Sequence, residues 1–425
     1  MSTARDIVIT GMGVVSPLGI GGEAVWNALA AGRSGVRPID VFDARGLRVP
    51  YGGQVPGFDP KTMIRPRKSL KVMSRVIQLG FVAAEQAMRD AGLEPGATSP
   101  ERFGAVMGTD MIYIDIEDLE PTYRRSRRDG DFDFGAWSEA ILVETHPLWL
   151  LKYLPNMTAS HVAIAHDARG PSNTIVLGDV SSLLAIGEAA AIIRRGRADV
   201  MLAGGTSSRL HPTAIVARGE PAVTEAIADC RSVCRPFDRD RIAMLDGEGA
   251  AVFVLESRAH AEARNAPVRG RLLAEAAGCE PKRAGRPPTG AALRATIRRA
   301  LARAGVAPAD LGHYNAHGGG TRDGDRMEAA AVAAELGATP VTAPKSGFGN
   351  LGAGSGAVEL AASLLGLAAG LVPPTLNYDS PDPACPVNVV RGGPLAGRPG
   401  TALAANYSSM GQVAAVVVAA AHQEP

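Results

Sequence analysis

Cysteine is scarce in this chain. Four occur in 425 residues, at Cys230, Cys234, Cys279 and Cys385, and the only close pair has a C-x-x-x-C spacing with no second ligand pair nearby. That excludes a disulfide-framed secreted domain and leaves reduced, cytosolic thiols as the reading, with no metal site expected. Net charge is equally slight, because 44 Lys and Arg balance 43 Asp and Glu to a formal +1. A charge of that size sets up no global field to gather nucleic acid or coat a membrane, so any charged partner has to be met by a local patch. Long apolar runs are missing too. None reaches ~18 residues without a polar interruption, and the first residues show no charged segment followed by an apolar one, so a soluble cytoplasmic protein is expected.

What is present is an apolar fraction of 46%, enough for a large core in one large domain or two to three ordinary ones. Strand and helix signals alternate almost throughout, which predicts an α/β protein with largely buried sheets. The first strand signal, Ile7-Val-Ile-Thr10, ends in Gly11-Met-Gly13. This is the start of a dinucleotide fingerprint, but Ser16 stands where its third glycine should be, so no nicotinamide site is expected. A helix is predicted over 75–91, with Ile77, Phe81, Val82 and Met88 on one face and Gly92 as its stop. A strand follows over 103–107. Residues 117–147 are polar and charged, including Arg124-Arg-Ser-Arg-Arg128, and read as a long solvated loop away from the core.

The stretch 174–205 is the most informative. Residues 174–177 read as a buried strand, Gly178 as a tight turn, 180–195 as a helix closed by Gly196, and 198–203 as a strand. Asp179 therefore falls at a helix N-terminus, where a carboxylate is expected to act as an N-cap and stay ionised. A comparable arrangement recurs later: a strand at 340–343, a glycine-rich loop at 345–356, then an apolar helix at 357–369 closed by Gly370. Two such units predict an internal duplication of fold, although no residue-by-residue repeat accompanies it. The C-terminal part, 402–405 and 413–419 around a turn, reads as a hairpin.

An ordered series of motifs runs through the chain: Val8-Ile-Thr-Gly-Met-Gly-Val-Val-Ser-Pro-Leu-Gly19, Gly170-Pro-Ser172, Ala198-Asp-Val-Met-Leu-Ala-Gly-Gly205, Arg235-Pro-Phe-Asp238 with Gly247-Glu-Gly-Ala250, Asn315-Ala-His-Gly318, Lys345-Ser346 and Pro374-Thr-Leu-Asn377. This series resembles the elongating ketosynthases of fatty acid and polyketide synthesis, members of the thiolase-fold superfamily. The resemblance implies a five-layered α-β-α-β-α arrangement of two fused βαβαβ-type halves, 1–257 and 258–425. It also implies a dimer paired through the strand before the nucleophile.

In such proteins a cysteine at the helix N-terminus takes the acyl chain from an acyl carrier protein, and two histidines stabilise the anion left when malonyl loses carbon dioxide. The resemblance places Asp179 at the cysteine, His317 at the first histidine and Asn350 at the second, with Lys345 and an accompanying Glu328 in support. His317-Gly-Gly-Gly-Thr321 keeps only Thr321 of two pantetheine-binding threonines, and Asn406-Tyr-Ser-Ser-Met-Gly-Gln412 replaces the gating loop, with Ser408 and Met410 in it. The reacting groups are altered while the frame around them remains.

Three functions follow from these substitutions. The first is a non-condensing partner resembling the chain length factors, paired with an intact ketosynthase, or a homodimer. The second is an enzyme using Asp179 and His317 as an acid–base pair for dehydration or isomerisation of a carrier-bound chain. The third is a malonyl-carrier decarboxylase, which an ionised Asp179 beside the developing enolate disfavours. The partner reading also places Met111 and Ile112, in a stretch that fits an ordinary core equally, at the partner's acyl tunnel. It makes Arg67, Lys68 and Lys71 a docking patch for the acidic carrier protein. No cofactor is expected on the chain itself, since phosphopantetheine arrives on the carrier.

Overall fold

The computed structural model describes residues 6–94, 96–219, 229–281, 288–397 and 400–421. Its first half runs β1 (Ile7–Ser16), α1 (Arg75–Asp90), β2 (Phe103–Thr109), α2 (Met157–Ala165), β3 (Ser172–Ile175), α3 (Ser181–Arg194), β4 (Val200–Ser208) and β5 (Glu248–Ser257). The second half repeats that order as β6 (Gly270–Cys279), α4 (Ala291–Ala304), β7 (His313–Asn315), α5 (Arg322–Leu336), β8 (Pro340–Thr342), α6 (Ser355–Ala369), β9 (Thr401–Tyr407) and β10 (Gln412–Ala420). In space the strands lie β3-β2-β4-β5-β1 and, mirrored, β6-β10-β9-β7-β8. The halves meet where β1 pairs antiparallel with β6, Ile7 opposite Leu272.

The duplication extends to irregularities. β1 shifts register against β5 between Ile9 and Gly11, and β6 shifts against β10 between Leu272 and Ala274. Both halves pair their first three strands antiparallel and the rest parallel, so the helix after β3 and the helix after β8 are thrown to the same side of their sheets. Those two helices, α3 and α6, form the middle layer. Their apolar faces, Leu183, Ile186, Ala190 and Ile193 with Val358, Leu360, Ala361 and Leu364, fill the core between the two halves of the sheet. Outside, α1 and α2 cover the first sheet and α4 and α5 the second, each with its own buried cluster. The five-layered thiolase-like architecture expected from the motifs is the one observed. The stretch Gly352–Ala369, apolar enough to cross a membrane by composition, is 78% buried as this central helix.

Several local expectations are corrected. The first strand does not end at Thr10: Gly11 and Gly13 lie inside β1, which runs on to Ser16. A Cβ on either would fall 2.2 Å from the Ala87 carbonyl or 1.9 Å from that of Ala83, so they let α1 press against the strand. Residues 174–177 are not a buried strand. β3 is an edge strand paired only with β2 among the described residues, and Val176 and Leu177 are 44% and 42% exposed. The polar stretch 117–147 is helical: helices Ile116–Arg125 and Phe134–Glu144 flank a short hairpin. Its charges face outward, Glu120 and Arg124 pairing one turn apart, while Tyr123, Phe132, Phe134 and Trp137 pack together.

Candidate active site

Both halves contribute the same turn to the site. At Leu177-Gly-Asp-Val-Ser181 the Leu177 N–H donates to Ser181 Oγ at 2.8 Å, Gly178 turns at φ 62°, and a single tight turn leads into α3. At Leu351-Gly-Ala-Gly-Ser355 the Leu351 N–H donates to Ser355 Oγ at 2.9 Å, Gly352 turns at φ 57°, and the same tight turn leads into α6. A residue-level repeat, Leu-Gly-x-x-Ser, therefore does accompany the duplication. It sets Asp179 and Ala353 in equivalent places at the N-termini of the two central helices.

Asp179 does not cap its helix. The residue preceding α3, Val180, makes no side-chain cap, and the turn is closed by Ser181. The carboxylate instead forms an ion pair with Arg209, whose Nη2 lies 2.8 Å from Asp179 Oδ1, both side chains about 15% exposed. Arg209 follows β4 directly and also faces Asp246 at 3.8 Å and Asp110 at 3.9 Å. Asp110 is in turn held by the Ser207 hydroxyl at 2.7 Å and the Ala353 N–H at 3.0 Å. Gly352 must be glycine here, since a Cβ would fall 2.1 Å from Asp110 Oδ2. Burial pushes the Asp179 carboxyl up, but the groups around it, from Arg209 foremost down to the Asn350 hydrogen bond, together outweigh burial and hold the carboxyl below the usual carboxylate range.

Asn350 stands beside Asp179. Its Oδ1 accepts from the Gly352 N–H at 2.9 Å and the Ser355 hydroxyl at 3.1 Å, which turns its amide nitrogen toward the Asp179 carboxylate. Behind it, Lys345 is buried, forms an ion pair with Glu359 and donates to the His317 carbonyl at 2.9 Å. The lysine's acidic companion is thus Glu359, not Glu328. Glu328 lies under the His317 loop, accepting from the N–H groups of His317 and Gly318 at 2.8 and 2.9 Å and from the Tyr314 hydroxyl at 2.9 Å. Burial pushes its carboxyl up to about 7.

His317 is neutral at physiological pH, because burial first, then Lys345 and Arg209, bring its pKa down to about 3. Its tautomer follows from a chain of polar groups. Asn406 Nδ2 donates to Glu359 Oε2 at 2.8 Å and faces His317 Nδ1 at 3.4 Å, which makes Nδ1 the acceptor and leaves the proton on Nε2. The Tyr407 ring lies over the imidazole, centroids 4.2 Å apart. Asp179 and His317 consequently bond to different partners, Arg209 and Asn406. Cys234 and Cys385 are buried, with thiols pushed up by burial to about 12 and about 11, so neither supplies a thiolate at neutral pH.

The other expected residues divide. Thr321 is exposed at the start of α5, Ser408 is buried and Met410 exposed on the loop after β9. Met111 is 68% exposed, but Ile112, at 8%, belongs to the core of this chain. Together they border a cavity of about 270 Å³ that is also lined by Arg75, Leu210, His211 and Glu248. Arg67, Lys68 and Lys71 are all exposed on one short helical turn, Arg67–Val72. Arg209 and Glu359 carry no motif, and Tyr407, although it lies within the altered loop 406–412, is given no role by the sequence. Arg209 joins Asp179 only because β4 and the turn before α3 end side by side.

Residues 4–261 match the family model described as the N-terminal domain of β-ketoacyl synthase, and residues 272–379 match the C-terminal domain. The chain is 36% identical to the tetracenomycin polyketide synthase ketoacyl synthase alpha subunit of Streptomyces glaucescens, covering 91% of this chain and 90% of that one. It is 33% identical to the beta subunit of the same organism, covering 98% and 99%. Among solved structures it is similar to the ishigamide ketosynthase/chain length factor, with a TM-score of 0.84, 29% identity and coverage of 98% and 100%. A β-ketoacyl synthase from Burkholderia phymatum gives a TM-score of 0.86 at 27% identity with the same coverage. With both domain models matched in order along most of its length, the chain belongs to the β-ketoacyl synthase family.

Proposed function

We propose that this chain is a non-condensing partner, resembling a chain length factor, of an active ketosynthase in type II polyketide or fatty acid synthesis. The observation that carries the reading is the Asp179–Arg209 ion pair at the place of the family's nucleophile. A carboxylate neutralised by a guanidinium is a poor nucleophile, and an acyl-aspartate would be a mixed anhydride that water cleaves readily. Asn350, in place of a second histidine, is turned to that same carboxylate and supplies no imidazole for a decarboxylation anion. The ionised Asp179 also opposes an enolate beside it, which weighs against a decarboxylase. The separate partners of Asp179 and His317 weigh against an acid–base pair.

Likeness to a beta subunit over 98% of the chain, in a system that has a separate alpha subunit, supports the partner role. So does the free edge of β3, with Val176 and Leu177 exposed beside it, which suits pairing with another subunit. A solved relative is titled as a type II polyketide synthase acyl carrier protein in complex with its ketosynthase, and the exposed Arg67, Lys68 and Lys71 suit an acidic carrier here. The test is co-expression with an intact type II ketosynthase. A stable 1:1 complex burying over ~2,000 Å² that turns over malonyl carrier protein, while this chain alone does not, is the expected result. Condensation by the isolated chain would overturn the proposal.

A further inference from the structure

The cavity of about 270 Å³ bordered by Met111 and Ile112 lies on the α1 side of the first half of the sheet, away from Asp179. The alternation along β4 shows this. Ser208 donates its hydroxyl to Glu248 at 3.1 Å, and both residues line the cavity, whereas Ser207 donates its hydroxyl to Asp110, on the side of Arg209 and Asp179. Neighbouring side chains of a strand point to opposite faces, so the cavity and the Asp179 turn are separated by the sheet.

Two polar atoms of residues lining this cavity are buried without a partner among the described residues. Ser74 is 5% exposed and stands at the capping position of α1, yet its hydroxyl makes no cap and no other hydrogen bond. His211 Nε2 lies 3.5 Å from Asp115 Oδ1, which places the imidazole proton on Nε2 and leaves the buried, unpaired Nδ1 as an acceptor. Burying two such groups costs free energy unless a molecule in the cavity satisfies them.

The remaining wall sets the kind of molecule. Phe42, Val76 and Leu210 make it apolar. The charges in it are already paired, Arg75 with Glu248 through hydrogen bonds of 2.6 and 3.0 Å and Asp115 with Lys152 at 3.3 Å, while Glu117 is exposed to solvent. Nothing there calls for a charged ligand. An apolar cavity of about 150 Å³ holds one benzene ring, so this one has room for a ring with a polar substituent.

We infer that this cavity is a binding site for a small neutral molecule of phenol size, whose hydroxyl donates to His211 Nδ1 and accepts from Ser74 while its apolar body lies against Phe42, Val76 and Leu210. The inference goes beyond the partner reading and does not rest on it, because the site needs neither Asp179 nor a second subunit.

The test uses the full chain with 4-methylphenol as the probe, toluene as the same body without the hydroxyl, and benzoate and benzylammonium as charged counterparts. Binding is read by calorimetry and folding by thermal unfolding. The wild type should bind 4-methylphenol about fivefold more tightly than toluene, and more tightly than either charged probe. Ser74→Ala and His211→Phe should each weaken 4-methylphenol severalfold while leaving toluene unchanged, and Ser74→Ala, which deletes an unpaired buried hydroxyl, should keep or raise Tm. Absence of 4-methylphenol binding, equal affinity for toluene, tighter binding of a charged probe, or binding unaltered by Ser74→Ala would each overturn the inference. Ser74→Ala carries the test on its own if His211→Phe fails to fold. Subunit assembly is scored separately by sedimentation, so a failed partner reading and a failed cavity site are distinguishable.

Discussion

Arg209 Nη2 lies 2.8 Å from Asp179 Oδ1, thirty residues away in sequence, and the same guanidinium is the nearest cation to Asp110 while sharing Asp246 with Arg218. The pair is mostly buried, so its charges are mutually dependent. Removing the cation takes the guanidinium from Asp179 and Asp110 and leaves Asp246 to Arg218, whereas removing Asp179 alone leaves Arg209 with two acids.

Arg209→Met should therefore destabilise the chain by about 3–5 kcal/mol, the usual cost of stranding a buried charge, and Asp179→Asn by distinctly less. Urea unfolding of both variants checks the order. An Arg209→Met variant as stable as Asp179→Asn would mean the ion pair is not what holds this site together.

The isolated chain should show no stable acyl adduct by intact-mass analysis after incubation with acyl carrier protein. On the proposed reading, which equates Asn350 with a family histidine, Asp179→Cys alone should not restore elongation, because Asn350 supplies no imidazole and Tyr407 still lies over His317. Efficient condensation by that single variant would show that neither departure matters. Asp179→Asn, which removes charge but keeps a polar side chain, should leave turnover of an assembled complex within a few-fold.

Glu328 gives a pH dependence with a definite sign. Its pKa is about 7 in the folded chain against 4.5 for an ordinary glutamate, so the folded state holds a proton that the unfolded state has released between those values. The stability it contributes is fully present below pH 4.5 and is lost as pH rises through 7. Relative to Glu328→Gln, which cannot titrate, the wild type should lose about 3 kcal/mol between pH 4 and pH 8. Denaturant titrations of the two proteins across that range measure it, and a pH-independent difference would refute the buried, raised carboxyl.

Met111 and Ile112 should now behave differently. Met111→Trp, at an exposed position, should leave folding intact and shorten the product of an assembled pair if this stretch reaches the partner's tunnel. Ile112→Trp overfills a packed core and should cost this chain about 1–3 kcal/mol before any effect on product is seen. Product mass spectrometry and thermal unfolding separate the two effects.

On the edge strand β3, the Thr174 N–H donates to the side-chain oxygen of its neighbour Asn173, at 2.8 Å. Thr174→Pro removes that donor from the edge strand and should abolish subunit assembly in sedimentation, with the Tm of the single chain measured beside it to score any cost to β3 itself. Unchanged assembly would place the interface elsewhere.

Much of this molecule is written along the chain. The alternation of apolar runs and glycine stops determined the order of strands and helices, and the motif series determined the family. The identity of residue 179 puts a carboxylate in that turn. These are local properties: periodicity, turn glycines and single side chains act within a few residues and can be read without knowing what packs where. The duplication was legible as two βα units, but the shared Leu-Gly-x-x-Ser turn passed unnoticed because only three of its positions are held, two by one hydrogen bond and one by a positive φ. Only the tertiary structure decided the partners. Arg209 meets Asp179 because the sheet sets the ends of β4 and β3 on either side of β2, Glu359 meets Lys345 because α6 runs back past the turn it follows, and Tyr407 covers His317 because β9 lies beside β7. Each of these pairings depends on which elements become neighbours across the sheets, and no pattern of nearby residues encodes that.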